Sequence, residues 1–129
     1  MKAARVLVME DDLMIGALLG EMLTGMGHTV CATETTEAAS VAAAGRCRPD
    51  LMIVDVRLGS GSGVRATDDI QRGGSVPHVF VSGDISSLIA NRPWAVAIQK
   101  PFRIAELAQA IQRVLAAARE PDSPVCRPN

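Results

Sequence analysis

The chain carries no excess of either charge. Its 13 lysines and arginines face 14 aspartates and glutamates, for a net charge of -1. It therefore lacks the electrostatic footprint of a nucleic-acid or anionic-membrane binder. No apolar stretch approaches the roughly 20 residues needed to span a bilayer. Met1-Lys2-Ala3-Ala4-Arg5 runs straight into a short strand-like segment, without the apolar region or cleavage site of a secretory signal. These absences imply a cytoplasmic protein with no membrane partner. Cysteine is sparse: Cys31, Cys47 and Cys126 are odd in number and widely spaced. They form neither a zinc pattern nor a disulfide framework and read as small packing residues plus one thiol on a loose tail.

What is present is a single globular domain. A chain of 129 residues supports one core, and 48% hydrophobic with 21% charged residues is an ordinary soluble composition. Apolar runs alternate with segments of helical period. Val6 to Met9 is followed by Leu13, Ile15, Leu18, Leu19, Met22, Leu23 and Met26 at i+3 and i+4 steps. Asp12 stands where that helix needs an N-cap, and Gly25 and Gly27 where it should stop. His28 to Ala32 predicts a second strand, Thr36 to Ala44 a helix ended by Gly45, and Leu51 to Val54 a central strand. Gly59 to Gly63 predicts a flexible loop, followed by a helix over Val64 to Gln71. Val76 to Ser82 predicts the fourth strand, with Pro77 confined to its start because it cannot donate to the ladder. Ile85 to Ala90 allows only a short helix. Val96 to Ile98 predicts the fifth strand, and Ile104 to Leu115 a final amphipathic helix. Residues 1–118 form the domain, and the Pro-rich 119–129 a disordered tail. Strand alternating with helix predicts an α/β fold with a doubly wound parallel sheet.

Charge gathers where that sheet would place it. Glu10-Asp11-Asp12 follows the first strand, Asp55 the third, Ser82 closes the fourth, and Lys100-Pro101 follows the fifth. In an open parallel sheet the carboxyl ends of the strands share the edge where ligands bind. Glu10 and Asp11 suit a hard cation such as Mg²⁺, which takes one or two protein carboxylates and phosphate oxygens. Asp55 would share that metal and act as nucleophile toward phosphorus. Lys100 would neutralise charge on the transferring group, and Ser82 would donate its hydroxyl. Asp12 reads as a helix cap rather than a ligand.

Together these residues resemble the receiver domain of two-component response regulators over roughly residues 4 to 118. Gly63, eight positions after Asp55, adds to the likeness. The resemblance implies a five-stranded flavodoxin-like sheet of order 2-1-3-4-5 and a histidine kinase or histidine phosphotransfer protein as phosphodonor to Asp55. It further implies Mg²⁺ on Glu10, Asp11, Asp55 and the Arg57 backbone carbonyl, a cis Lys100-Pro101 peptide, and a downstream protein partner. Gly83, Arg57 and Asp84 would modulate the site, with Arg57 and Asp84 pairing across its mouth. Homodimers through the fourth helix, fifth strand and fifth helix also belong to this pattern.

The chain departs from the family in several places. Gly59 stands where proline is usual, so the loop after Asp55 should be more mobile. Ala97 replaces the aromatic rotamer switch, in a chain with no tyrosine at all. The stretch from Ser82 to Lys100 is short, implying a truncated fourth helix. Phe80-Val81-Ser82-Gly83 resembles the Phe-Ala-Thr-Gly signature of mostly single-domain alphaproteobacterial regulators. The expected reading is a stand-alone phosphoacceptor rather than an enzyme. Its alternatives are a fragment of a longer regulator or an unphosphorylated interaction module. A haloacid-dehalogenase-like phosphatase would need a second acid where Arg57 stands. A dinucleotide fold would need a Gly-rich turn in place of Glu10-Asp11-Asp12.

Overall fold

The structure, a computed structural model, describes residues 3–118. The expected tail and Cys126 lie outside them. Five parallel strands form the main sheet: β1 (Arg5–Met9), β2 (Thr29–Glu34), β3 (Leu51–Asp55), β6 (His78–Ser82) and β7 (Ala97–Gln99). Between β3 and β6 a small antiparallel hairpin contributes β4 (Arg57–Leu58) and β5 (Gly61–Ser62). The main sheet runs β2-β1-β3-β6-β7, which is the expected order with the hairpin strands counted. Helices α1 (Leu13–Gly25), α2 (Glu37–Cys47), α3 (Gly63–Gln71), α4 (Ser86–Asn91) and α5 (Ile104–Ala117) connect the strands.

Side-chain alternation along the strands builds two cores. Val6, Val8, Leu51, Ile53, Val79 and Val81 point to the face covered by α1 and α5. Leu7, Met9, Met52, Val54 and Phe80 point to the face covered by α2, α3 and α4. Every residue of β3 is buried, as a strand covered on both faces requires. Each fully buried aliphatic chain stabilises the fold by about 1.5–3 kcal/mol before entropy is charged against it.

The structure moves several expected boundaries. Helix α2 continues through the exposed Gly45 to Cys47. A helix tolerates one glycine at about 1 kcal/mol relative to alanine. The actual stop is Arg48, left-handed at φ 49, whose N–H reaches Ala44 O, with Pro49 next in the chain. Strand β2 extends to Glu34, because Met9 pairs with it at the end of β1. Strand β6 begins one residue after Pro77, whose carbonyl still accepts from Met52 N–H at 2.9 Å.

The largest difference is the segment after Asp55. It was expected to be a flexible loop, and it is a paired hairpin, Arg57 opposite Ser62 and Leu58 opposite Gly61. Gly59 takes φ 57 in the two-residue turn, and Leu58 is buried. Gly-Ser between two short paired segments is itself a hairpin signal, and it was legible at Gly59-Ser60.

Candidate functional site

The strand order reverses between β1 and β3, which opens a crevice beyond their carboxyl ends. Three carboxylates meet there. Glu10, Asp11 and Asp55 each place an oxygen within 4.8 Å of the others. Lys100 reaches in from the end of β7, its Nζ 3.0 Å from Glu10 Oε1 and 3.0 Å from Asp55 Oδ2. The Lys100–Pro101 peptide that turns the chain here is cis.

Each carboxylate has a distinct environment. Glu10 is 1% exposed and its Oε2 accepts from Asp12 N–H at 3.2 Å. Burial, and then the hydrogen bond to Asp55, push its pKa up to about 7 against the opposing pull of Asp12 N–H and Lys100. Asp55 is buried, with Oδ1 accepting from Arg57 N–H at 3.2 Å. Asp11 is exposed, and its Oδ2 accepts from Gly59 N–H at 2.8 Å. That hydrogen bond is the main reason its carboxyl lies below the usual range. Burial acts to lower the Lys100 pKa, but its bonds to Asp55 and Glu10 prevail and hold it raised.

Asp12 stays out of the cluster and caps α1, accepting from Met14 N–H at 2.9 Å and Ile15 N–H at 3.2 Å. Gly63 packs under Asp55. A Cβ there would stand 2.0 Å from Asp55 O and 2.6 Å from Val54 Cγ1.

The donor set fits a hard divalent cation. One ammonium is ion-paired to two of three clustered acids, leaving negative charge that an all-oxygen site offers to such an ion.

Ser82 and Asp84 do not join this cluster. Ser82 Oγ donates to Asp84 O at 3.1 Å and accepts from Asp84 N–H at 3.2 Å. Asp84 Oδ1 accepts from Ser86 N–H at 3.0 Å, and Arg57 is exposed on the hairpin. Among the described residues no ion pair joins Arg57 to Asp84. A turn-forming aspartate satisfies itself on the local backbone two residues ahead, which holds it away from a partner across the mouth. Gly83, between them, is exposed with open space around its Cα.

Sequence reasoning missed one group of site-supporting residues. Glu37, at the start of α2, accepts from Ser62 N–H at 2.9 Å and from the Arg65 guanidinium at 3.1–3.3 Å. An acid in the first turn of a helix reads from sequence only as a dipole partner. The hairpin that brings Ser62 to it was not anticipated.

Comparison with known proteins decides the family. The sequence pattern described as response regulator receiver domain matches residues 6–112. The chain belongs to the response regulator receiver family. Among curated relatives, the transcriptional regulatory protein PdtaR of Mycobacterium tuberculosis is 29% identical over 120 residues, covering 90% of this chain and 58% of PdtaR. The KDP operon transcriptional regulatory protein KdpE of Escherichia coli is 34% identical over 106 residues, covering 79% of this chain and 47% of KdpE. The chain thus spans about half the length of these relatives. The solution structure of the PhyR receiver domain of Erythrobacter litoralis superposes at a TM-score of 0.81 and 27% identity, covering 90% of this chain and 92% of that one. PhyR of Brucella abortus gives 0.85 at 22% identity, covering 92% and 50%, and supports the fold alone.

The receiver family is a signalling module of two-component systems, not a conventional enzyme class. Among the described residues no helix is long and apolar enough to cross a membrane.

Proposed function

We propose that this receiver accepts a phosphoryl group on Asp55 from a phosphohistidine donor, with Mg²⁺ held by Glu10, Asp11, Asp55 and the Arg57 backbone carbonyl. The observation that carries the reading is Lys100 Nζ, 3.0 Å from both the Asp55 and Glu10 carboxylates in a buried crevice. A dead site would leave that ammonium and those acids desolvated to no purpose.

An Asp55 carboxylate oxygen attacks phosphorus in line with the donor imidazole nitrogen. The new P–O bond gives an acyl phosphate as the P–N bond breaks, and its electron pair stays on the imidazole, which picks up a proton. Lys100 neutralises charge on the phosphoryl oxygens, and Ser82 exchanges its bond to Asp84 for one of those oxygens. When bound, the metal supplies further charge neutralisation at the same oxygens. Water hydrolyses the acyl phosphate to end the signal, and Asp84, Gly83 and Arg57 line the approach it takes. The output is a change in protein contacts, carried by a population shift between two states.

The donor needs a surface beside this crevice. An apolar hollow of about 320 Å³ adjoins Lys100, walled by Ile15, Leu18, Leu19 and Met22 of α1 with Pro101 and Phe102. Leu13 and Met14, at the start of α1, are 77% and 81% exposed. A helical phosphotransfer protein or kinase seated on α1 there would bring its phosphohistidine over Asp55. A cytoplasmic location agrees with this chemistry.

The direct test is incubation with Mg²⁺ and acetyl phosphate, alongside Asp55→Asn, read by intact mass. Wild type should gain one phosphoryl group and the variant none. Absence of the adduct in wild type would favour an interaction module that is never phosphorylated.

A further inference from the structure

We propose that Glu37 is a positioning residue for the Asp11 carboxylate, acting through the β4–β5 hairpin. The inference rests on the metal reading above, since Asp11 matters here as a ligand.

The connection is continuous and short. Glu37 is the first residue of α2, whose cap is fixed by Thr36 Oγ1 accepting from Ala39 N–H at 3.1 Å. Ala43 and Ala44 bury the helix in the core, so Glu37 stands on a rigid support. Its Oε1 accepts from Ser62 N–H at 2.9 Å. Ser62 is paired with Arg57 across the hairpin, and Gly61 with Leu58. The turn between them presents Gly59 N–H to Asp11 Oδ2 at 2.8 Å.

Gly61 leaves room for the anchor. A Cβ at that position would lie 3.0 Å from Glu37 Oε1. Asp11 is exposed and has little packing to hold its rotamer. The Gly59 amide does that work, and it stays in place only if the hairpin does. The Gly59 amide is the main cause of the lowered Asp11 pKa, whereas that of Glu37 is lowered first by Arg65 and then by the Ser62 amide.

The same carboxylate also binds Arg65, so two roles compete. If Glu37 works through the Ser62 amide, the acceptor matters and the ion pair does not. If it only ties α2 to α3, the ion pair matters and Asp11 is indifferent to both.

Four variants of the full chain separate these. Glu37→Ala and the isosteric Glu37→Met remove the acceptor. Glu37→Gln keeps a carbonyl oxygen for Ser62 N–H but loses the charge, and Arg65→Ala loses the ion pair alone. The probe is Mn²⁺, an oxygen-loving stand-in for Mg²⁺, titrated with free ion read by electron paramagnetic resonance. Thermal unfolding of the metal-free proteins confirms that each is folded.

Glu37→Ala and Glu37→Met should weaken Mn²⁺ binding about tenfold, the low end of the range for residues that orient a metal ligand. Glu37→Gln and Arg65→Ala should stay within about twofold of wild type. Amide exchange at Gly59 should accelerate in the first two variants only.

Wild-type affinity in a folded Glu37→Ala or Glu37→Met, or an equal loss in Arg65→Ala, overturns the positioning role and leaves the metal reading intact. Failure of the wild type to bind Mn²⁺, or undiminished binding by Asp11→Asn, overturns the metal reading itself.

Discussion

Glu10 is the most perturbed acid in the site, and its position explains why. It follows four buried residues of β1 and is itself buried, which penalises its charged form. Its folded-state pKa of about 7 lies above the ordinary 4.5, so the metal-free protein takes up a proton on folding between those values. The Glu10 contribution to stability should therefore fall as pH rises through that window, by at most about 1.4 kcal/mol per unit. His28 and His78, lowered by burial, act with the opposite sign and cancel only in comparison with a variant that keeps them. Neighbours in the cluster do not mask the Glu10 contribution. Lys100 is raised above 10.5 and keeps its contribution until alkaline pH, while Asp11 is lowered below 3.8 and loses its contribution only in acid. Urea unfolding in chelator from pH 5 to pH 7 should show Glu10→Gln gaining on wild type as pH rises; parallel curves would refute it. Gly63 has no room for a side chain. A methyl there meets backbone rather than a flexible tip, with Asp55 O at 2.0 Å. Gly63→Ala should cost at least about 1–3 kcal/mol, the usual range for overpacking. It should also slow acetyl phosphate labelling, since relief of the clash moves Asp55.

Among the elements, α4 is the weakest by construction. It has six residues, Ser86–Asn91, and no side-chain cap, far below the length at which a helix holds in isolation. What fixes it is tertiary: Leu88 is buried, and Arg92 at its end forms a two-pronged ion pair with Asp68 of α3 at 2.9 and 2.6 Å. Arg92→Ala should destabilise by about 1–3 kcal/mol, as loss of charged hydrogen bonds to a part-buried acid does. It should also raise amide exchange in α4 ahead of α5; a uniform rise across both helices would show that the pair does not act locally. The short α4 was legible because too few residues separate Ser82 from Lys100 to hold a longer helix and a strand. The central strands β1 and β3 were legible because Val6–Met9 and Leu51–Val54 are continuous apolar runs that leave no competing period. The charged cluster was legible because strand ends are fixed once strands are. The hairpin was hidden because strands of two residues carry no periodicity, and only its Gly-Ser turn signalled it. Glu37 was hidden for the same reason, since its partner Ser62 is brought to it by that hairpin. The turn-bound state of Ser82 and Asp84 depends on rotamers, which sequence spacing does not encode.

The proposed phosphotransfer requires two surfaces of different kind to be contiguous. The crevice is charged and closed around Glu10, Asp55 and Lys100, whereas the neighbouring α1 face is open and apolar. Lys100 joins them, because it lines both the acid cluster and the hollow beneath Leu18. A net charge of -1 offers little long-range steering, so the proposed docking rests on the apolar face. Met14 contributes almost nothing to the folded core at 81% exposure. Met14→Glu should then leave stability within about 0.5 kcal/mol, as surface changes do. A carboxylate placed there would have to be desolvated by an apolar helix docking on α1. Phosphotransfer from a phosphorylated histidine protein that labels the wild type should fall at least about tenfold, the equivalent of 1.4 kcal/mol of lost docking. Acetyl phosphate needs no docking surface, and its labelling of Asp55 should be unchanged. Equal loss with both donors would place Met14 in the chemistry rather than in recognition. Equal retention with both would move the docking face away from α1.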